Sequence, residues 1–187
     1  HKSQNLETIQ FDYKSSGLNI SNSGYDIRLL YKNGSKIILK KKEYELLNFH
    51  FHTPAEHIVH GKKSNIEAHF VHRDKEGNLV VVALMINKGK MNYALHDIFN
   101  HIPQQAGSVN FIEDKKINPL DFFPKGGGYY AYTGSLTTPP CSENVKWIIW
   151  HDPIEASLDQ IMKLTRVYRM NARPTQPLNG RKILQKL

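Results

Sequence analysis

Short runs of hydrophobic and β-branched residues, separated by turn residues, dominate the chain. Seven of these runs predict β-strands, at residues 9–13, 27–31, 36–39, 45–52, 66–72, 79–86 and 145–150. The run at residues 79–86 is apolar throughout, which is typical of a strand covered on both faces in the middle of a large sheet. Asn33-Gly34 lies between two alternating runs and predicts a hairpin that joins them.

Two segments have the periodicity of amphipathic helices. The first apolar stripe consists of Ala94, Leu95, Ile98, Phe99 and Ile102. Pro103 follows this stripe and is expected to close the helix. Ser157 and Gln160 form a capping box that predicts the start of a second helix running towards Tyr168.

Residues 110–142 and 171–187 are rich in Gly, Pro and Asn, and we expect them to be irregular. Irregular segments of that length in a compact domain usually wrap the surface or build a site. The chain has 187 residues, enough for one substantial core, and contains no repeat or linker. The sequence therefore predicts a single, mostly β domain over residues 1–187, with a few peripheral helices.

The net charge, the lengths of the apolar runs and the N-terminus narrow the possible classes of function. The formal net charge is +8, but the lysines are scattered, and the densest run, Lys40-Lys41-Lys42, lies in a predicted turn. This distribution favours a solvated basic surface over a nucleic-acid-binding patch. No apolar run is long enough for a membrane span. Since the chain begins at His1 without Met, we expect a trimmed N-terminus from which any export signal has been removed.

Histidines alternate on one face of the predicted strand at residues 45–52. Because successive side chains of a strand point to opposite faces, Asn48, His50 and His52 share one face. The other face carries Leu47, Phe49 and Phe51. Two imidazoles two residues apart can approach one ion, although the same pair is equally compatible with two half-exposed histidines.

The predicted strand at residues 66–72 supplies a third imidazole. Glu67, His69 and Val71 share one face, whereas His72 falls on the core-facing side and is left out of the candidate site. If the two strands pair, His69 completes a set of three nitrogens with an open fourth position, as a catalytic zinc requires. A closed structural zinc site rich in thiolate is a poor alternative, because the chain has a single cysteine. Glu67 and Asn48 are candidates to orient the ligand imidazoles.

Four motifs resemble α-class carbonic anhydrases of bacterial type. They are FHFHTPAEH at residues 49–57, EAHFVH at 67–72, GSLTTPPCSE at 134–143 and RPTQPLNGR at 173–181. They follow one another in order along nearly the whole chain, which makes the resemblance specific. It implies a large central mixed sheet, mainly antiparallel, in a single domain.

The resemblance implies reversible hydration of carbon dioxide to bicarbonate and a proton, by attack of a zinc-bound hydroxide. One zinc per chain would be held by His50, His52 and His69. Thr137 would accept a hydrogen bond from the hydroxide and donate its own proton to Glu56, since a hydroxyl has one donor and two lone pairs. Without the resemblance, Glu56 would be interpreted as a surface acid and Thr137 as a turn residue.

The resemblance also assigns residues around the metal. Thr138 would line the site, and an apolar wall for carbon dioxide would consist of Val71, Val81, Leu136, Val145 and Trp147. From sequence alone these five apolar residues are predicted simply as core. His57, Tyr132 and Arg173 match positions that support the site.

Three features depart from the family pattern. Tyr25 stands where the family often has a histidine that shuttles protons, and a phenol does not change charge near neutral pH as an imidazole does. We therefore hypothesise that proton release limits turnover and that small imidazole buffers restore it. Gln4 is followed by Asn5-Leu6 rather than by Ser-Pro-Ile, so the first site-lining segment is expected to be incomplete. The motif cysteine, Cys141, has no cysteine partner within this sequence.

Three other functions compete with carbon dioxide hydration. A zinc-less binding module is disfavoured because all three histidines, Glu56 and Thr137 are present. A zinc esterase uses the same hydroxide, and weak ester hydrolysis is expected as a side reaction. A polyanion-binding domain is supported by net charge alone, and a salt-dependent DNA-binding assay would test it. From the resemblance we also expect a periplasmic or secreted protein and a homodimer.

Overall fold

The computed structural model describes residues 6–31 and 34–187. The first half of these residues forms the strands β1 Gln10–Asp12, β2 Ser16–Asn22, β3 Ile27–Leu30, β4 Lys36–Leu39, β5 Lys42–His52, β6 Ile58–Val59, β7 Lys62–Lys63, β8 Ile66–Arg73 and β9 Leu79–Lys88. The second half forms helix α1 Tyr93–Asn100, β10 Val109–Ile117, a 3-10 turn Pro119–Phe122, β11 Tyr129–Gly134, β12 Val145–Trp150, β13 Ile154–Ala156, helix α2 Leu158–Val167 and β14 Leu184–Lys186.

Twelve of the strands in the described residues form one sheet. Its main order is β10-β2-β3-β5-β8-β9-β12-β11-β14, while β1, β4 and β13 pair beside this path and β6 with β7 forms a separate ribbon. The pairs are antiparallel except that β12 and β13 run parallel to β9. The predicted fold class, a mostly β chain with a large mixed central sheet and few helices, is confirmed.

The strand β9 occupies the centre of the sheet, as its uniformly apolar sequence predicts. It pairs with β8 on one side and with β12 on the other, and Val80 to Met85 are all buried. One face of the sheet packs into the large core that contains Phe49, Phe51 and Phe70. The opposite face carries a smaller apolar cluster that includes Val81, Val145 and Trp147.

Within the described residues, the strands on either side of Asn33-Gly34 do not pair with each other as the predicted hairpin requires. The two flanking strands, β3 and β4, both pair with β5, so they follow one another along the same neighbour instead of pairing together. Asn33 itself lies outside the described residues. The hairpin that does form joins β4 to β5 through Lys40 and Lys41, whose φ angles of 50° and 63° suit a tight two-residue turn.

A β-bulge in β5 changes which leucine faces the main core, contrary to the prediction. The register with β8 shifts between Leu46 and Asn48. An extra residue at a bulge reverses the alternation beyond it, so Leu46, and not the predicted Leu47, joins Phe49 in the main core. The residues from Asn48 to His52 keep the predicted alternation.

The prediction that residues 110–142 are irregular is wrong, because this segment holds most of β10 and all of β11. The strand β10 is an edge strand rich in charged residues, so its sequence lacks the apolar run of an interior strand. The strand β11 follows Gly126-Gly127-Gly128, which is a turn signal. β2 was not predicted either, and residues 171–187 are irregular except for β14.

Both predicted helices are confirmed. Helix α1 starts at the N-cap Asn92 and ends at Asn100, before the predicted boundary at Pro103. Helix α2 has the predicted capping box, in which the side chains of Ser157 and Gln160 bond reciprocally to the backbone. Neither helix, nor any other within the described residues, has the length and hydropathy needed to cross a membrane.

Candidate metal centre

Three histidine side chains meet on the face of the sheet opposite the main core. His50 and His52 lie on β5, and His69 lies on β8 directly opposite His50 in the strand register. One ring nitrogen from each comes within 4.8 Å of the other two. His52 and His69 are only 3% and 2% exposed, so the sheet register predicted from alternation brings the three imidazoles together in a buried position.

Each imidazole uses one nitrogen to hold its orientation. His50 Nδ1 is 3.0 Å from Asn48 Oδ1, and His69 Nε2 is 2.7 Å from Glu67 Oε1, the two partners expected from sequence. His52 Nδ1 is 3.2 Å from the backbone oxygen of Asn171. Because these oxygens are acceptors, the bonded nitrogens carry the protons, and the second nitrogen of each ring keeps a lone pair.

The free nitrogens fit a metal ion. His52 Nε2 is buried and has no hydrogen-bond partner among the described residues. Burial lowers the pKa of His50 well below its ordinary value, and burial also lowers the pKa of His52 to about 4. Neutral imidazoles are the form that coordinates zinc, so both the geometry and the charge state suit a three-nitrogen ligand set.

A second group, His57, Glu67 and His69, is also close enough to hold an ion. In this group, however, the Glu67 carboxylate oxygens are already engaged in hydrogen bonds. The Glu67 carboxylate accepts from His57 Nδ1 at 2.6 Å and from His69 Nε2 at 2.7 Å, and also from the backbone N–H groups of Glu56 and His57. This group is therefore better explained as a hydrogen-bonded support for His69.

The charge of Glu67 is retained although the residue is completely buried. Burial alone would raise its pKa, but the neighbouring His57 and His69 hold that pKa well below the usual range. The same carboxylate overcomes the effect of burial on His57 and raises the pKa of that imidazole. His57 Nε2 is in turn 2.7 Å from the Tyr132 hydroxyl, which fixes the ring at both ends.

The Glu56 carboxylate lies beside the three histidines. Its Oε1 accepts a hydrogen bond from the backbone N–H of Arg173 at 2.7 Å, and its Oε2 is 3.9 Å from His69 Nδ1. Glu56 is only 6% exposed, which corrects the surface acid that sequence alone suggested. Its buried Oε2 has no hydrogen-bond partner in the described part of the chain, so the expected bond from Thr137 is not formed in the structure.

Comparison with known proteins identifies a family whose members match this chain over nearly its whole length. The family model described as eukaryotic-type carbonic anhydrase matches residues 1–187. A carbonic anhydrase from a Nostoc species is 40% identical over 183 residues, which cover 98% of this chain and 69% of that protein. The chain belongs to the α-carbonic anhydrase family.

Solved structures of α-carbonic anhydrases have the same fold. A hyperthermostable carbonic anhydrase identified from a hydrothermal vent chimney superposes with a TM-score of 0.94 at 42% identity, covering 100% of this chain and 83% of that one. The α-carbonic anhydrase of Thermovibrio ammonificans, solved with the inhibitor sulfanilamide, gives a TM-score of 0.93 at 38% identity, covering 98% and 81%.

The apolar residues that the carbonic anhydrase motifs suggested form one cluster next to the histidines. Val81, Val145 and Trp147 are each 1% exposed, and the partly buried Val71 and Leu136 pack against them. The Trp147 ring centroid lies 4.9 Å from that of His69. The structure thus places an apolar wall beside the three nitrogens, while Thr138 is exposed and Thr137 is half-buried.

Asn171 is a supporting residue that the sequence did not indicate. Besides the backbone contact to His52, its side chain accepts from Thr53 N–H at 2.9 Å and donates to the carbonyl oxygens of Tyr25 and Phe51. It thereby ties the irregular C-terminal segment to β5. A contact made through a backbone carbonyl has no residue-type signal, so only the fold could reveal it.

Other residues named from the sequence lie outside the histidine centre. The Tyr25 side chain is 82% exposed, and Cys141 is a free, half-buried cysteine. His72 is buried in the main core, where its Nε2 is 2.7 Å from the Tyr13 hydroxyl, in agreement with its predicted core-facing position.

A cleft of about 590 Å³ lies beside the centre rather than over it. Glu56, His57 and Thr137 are on its wall, together with Arg173 and Tyr132, but the three clustered histidines are not. The side chain of Arg173 contacts Ser135 Oγ at 3.4 Å, next to the same wall.

Proposed function

We propose that this chain is a zinc-dependent carbonic anhydrase that catalyses the reversible hydration of carbon dioxide to bicarbonate and a proton. The observation that carries the proposal is the buried, unpartnered Nε2 of His52, which lies with one nitrogen each of His50 and His69 in a single cluster. Membership of the carbonic anhydrase family supports the reaction.

His50, His52 and His69 would hold the zinc, leaving one position open. Bound there, zinc acts as a Lewis acid that lowers the pKa of water to about 7 and so supplies a hydroxide nucleophile at neutral pH. The hydrogen bonds that the imidazoles donate to Asn48, Glu67 and the Asn171 carbonyl fix which nitrogen of each ring is free. Because these contacts exist in the folded chain, the ligands need no rearrangement before binding metal.

The chain's own residues select a small apolar substrate. The wall of Val71, Val81, Leu136, Val145 and Trp147 offers no charged group, which suits carbon dioxide and excludes ordered water from the reacting carbon. The unpartnered Glu56 Oε2 is the acceptor that Thr137 requires to orient its hydroxyl. We infer that Thr137 donates to this oxygen in the working enzyme.

Alanine substitution of His69 tests the ligand set. We expect His69→Ala to lose tight zinc binding and carbon dioxide hydration together, because two nitrogens cannot hold the ion as three do. His96→Ala is the matched control, since His96 is exposed on α1. Zinc content after dialysis and stopped-flow hydration rates would be measured on both. Wild-type metal content and rate in His69→Ala would contradict the proposal.

A further inference from the structure

A positively charged side chain lies next to the histidine cluster on the same face of the sheet. Arg28 is in the middle of β3, and the antiparallel register places it directly opposite His50 of β5. Directly opposed residues have their Cβ atoms about 5 Å apart on one face of a sheet. The order along this row is therefore Arg28, His50 and His69, across three adjacent strands.

A buried carboxylate holds the Arg28 guanidinium in place. Arg28 Nη2 is 2.6 Å from Asp26 Oδ2, and the side chain of Asp26 is only 9% exposed. The other oxygen of Asp26 accepts a hydrogen bond from Ser23 Oγ at 2.7 Å. The carboxylate is thus fixed from two sides, and it orients the guanidinium without using all of its N–H groups.

Part of the guanidinium has no partner. Arg28 Nε is buried and makes no hydrogen bond to any described residue. The side chain as a whole is 39% exposed, so it also borders solvent. A guanidinium has five donors in a rigid fork that matches carboxylate-like anions. An unused buried donor beside a metal-binding cluster is unusual for a purely structural ion pair.

The positive charge of Arg28 also acts on the His50 imidazole. Burial is the main cause that lowers the pKa of His50, followed by the neighbouring His69 and His52, and the positive charge of Arg28 adds to the effect. This interaction agrees with the short separation that the register requires.

We propose that Arg28 is an anion-binding residue of the metal centre, where it retains bicarbonate and other small monovalent anions through its free guanidinium donors. The proposal rests on the proposed function, because it places the product of carbon dioxide hydration beside the three histidines. Carbon dioxide carries no charge and gains little from a nearby cation, whereas bicarbonate gains a charge-assisted hydrogen bond. Arg28 therefore discriminates between the two sides of the reaction.

The kinetic consequence is specific. The equilibrium constant fixes the ratio of kcat/KM for hydration to kcat/KM for dehydration. An interaction made with the bound anion, and not with the transition state, appears as a parallel rise in KM and kcat for dehydration when it is removed. It also appears as weaker inhibition of hydration by bicarbonate.

Anion affinity should be measured on Arg28→Gln, Arg28→Lys and a control, Lys75→Gln. Lys75 is exposed in the turn after β8, beyond the end of the strand that carries His69, and its substitution makes the same change in net charge as Arg28→Gln. Each protein would be loaded with cobalt(II) and titrated with thiocyanate and with bicarbonate while its visible absorption is recorded. This readout does not depend on turnover, and stopped-flow hydration in the presence of bicarbonate gives the second one.

We expect Arg28→Gln to weaken binding of both anions by roughly three- to tenfold, since one charge-assisted hydrogen bond is lost. Arg28→Lys should fall between Arg28→Gln and wild type, because the charge stays but the fork is lost. Lys75→Gln should bind as wild type does. Equal affinities in wild type and Arg28→Gln, or an equal loss in Arg28→Gln and Lys75→Gln, would overturn the proposal. A wild-type protein that neither hydrates carbon dioxide nor binds metal would instead refute the proposed function.

Discussion

The Glu67 carboxylate carries a buried negative charge one hydrogen bond away from a proposed metal ligand. It accepts from two imidazoles and two backbone N–H groups, which accounts for its low pKa in spite of complete burial. By accepting a hydrogen bond from His69 Nε2–H, it leaves Nδ1 of that ring with the lone pair that can bind a metal. Its charge also makes the His69 imidazole a more basic ligand.

Glu67→Gln should weaken zinc binding by about 10–100-fold, because the amide retains the shape but not the charge. Competition with a zinc-binding dye measures the affinity. Glu45→Gln is the control, since Glu45 is exposed on β5, the same strand as His50 and His52. An affinity of Glu67→Gln equal to that of the control would show that the charge of Glu67 is not important for the ligand set.

Tyr25 should limit proton release. An exposed phenol accepts no proton near pH 7, whereas an imidazole at the same position can. We expect Tyr25→His to raise kcat for hydration in weak buffer while leaving kcat/KM unchanged, and added imidazole to raise the kcat of the wild type. Tyr93→His, at an equally exposed position on α1, serves as the control. A wild-type kcat that is independent of imidazole concentration would contradict this hypothesis.

At the scale of elements, helices α1 and α2 are joined at their N-termini by one side chain. Gln160 Oε1 accepts from the backbone N–H groups of Ser157 and Asn92, and its Nε2 donates to the Asn92 carbonyl. Gln160 is only 3% exposed. The capping residue of one helix therefore also fixes the start of the other.

Gln160→Ala should lower the free energy of unfolding by about 2–4 kcal/mol, because it leaves partly buried backbone groups at the starts of two helices unpaired. Urea unfolding followed by circular dichroism measures this loss. Arg166→Ala, an exposed substitution on the same helix, should change the stability by less than about 0.5 kcal/mol. A loss in Gln160→Ala as small as that in Arg166→Ala would contradict the proposed link between the helices.

The elements that the sequence predicted well are those with a complete local pattern. The central strand β9 has an uninterrupted apolar run, and α2 has both halves of its capping box. The strand β10 was missed because an edge of the sheet tolerates charged residues. The interior strand β2 was missed because only two apolar residues stand among its Gly, Ser and Asn residues. Asn33-Gly34 has the residues of a hairpin turn, but in the described part of the chain both flanking strands pair with the long strand β5.

The same distinction applies to the metal centre. Alternation along β5 and β8 was sufficient to place the three histidines, Asn48 and Glu67 on one face. The positions of Glu56 and Thr137 came only from motif resemblance, since both belong to loops whose course depends on the whole fold. Asn171 and Arg28 were missed because their contacts depend on chain segments that are distant in sequence.

At the scale of the whole molecule, buried neutral histidines make the free energy of unfolding depend on pH. Burial lowers the pKa of His72 to about 3 and that of His52 to about 4, and it lowers the pKa of His50 strongly. In the unfolded chain these groups bind protons below about pH 6.5. The unfolded state therefore takes up more protons than the folded state in that range, and stability falls as the pH decreases from about 6.5.

The metal-free protein should lose more than about 2 kcal/mol of its free energy of unfolding between pH 7 and pH 5. His57 offsets only a small part of this loss, because its raised pKa lets the folded state bind more protons above about pH 6, and below that pH both states are protonated. Urea unfolding at several pH values measures the dependence. His72→Gln, which keeps an acceptor for the Tyr13 hydroxyl, should show a shallower slope. A slope unchanged by that substitution would contradict the assignment.

The most direct test of zinc-dependent catalysis is stopped-flow hydration of carbon dioxide by the purified protein, before metal removal, after removal and after zinc is restored. We expect hydration to disappear with the metal and to return in proportion to the zinc bound, up to one ion per chain. Hydration that persists without metal, or a chain that binds one zinc and hydrates no carbon dioxide, would contradict the proposed role of the three histidines.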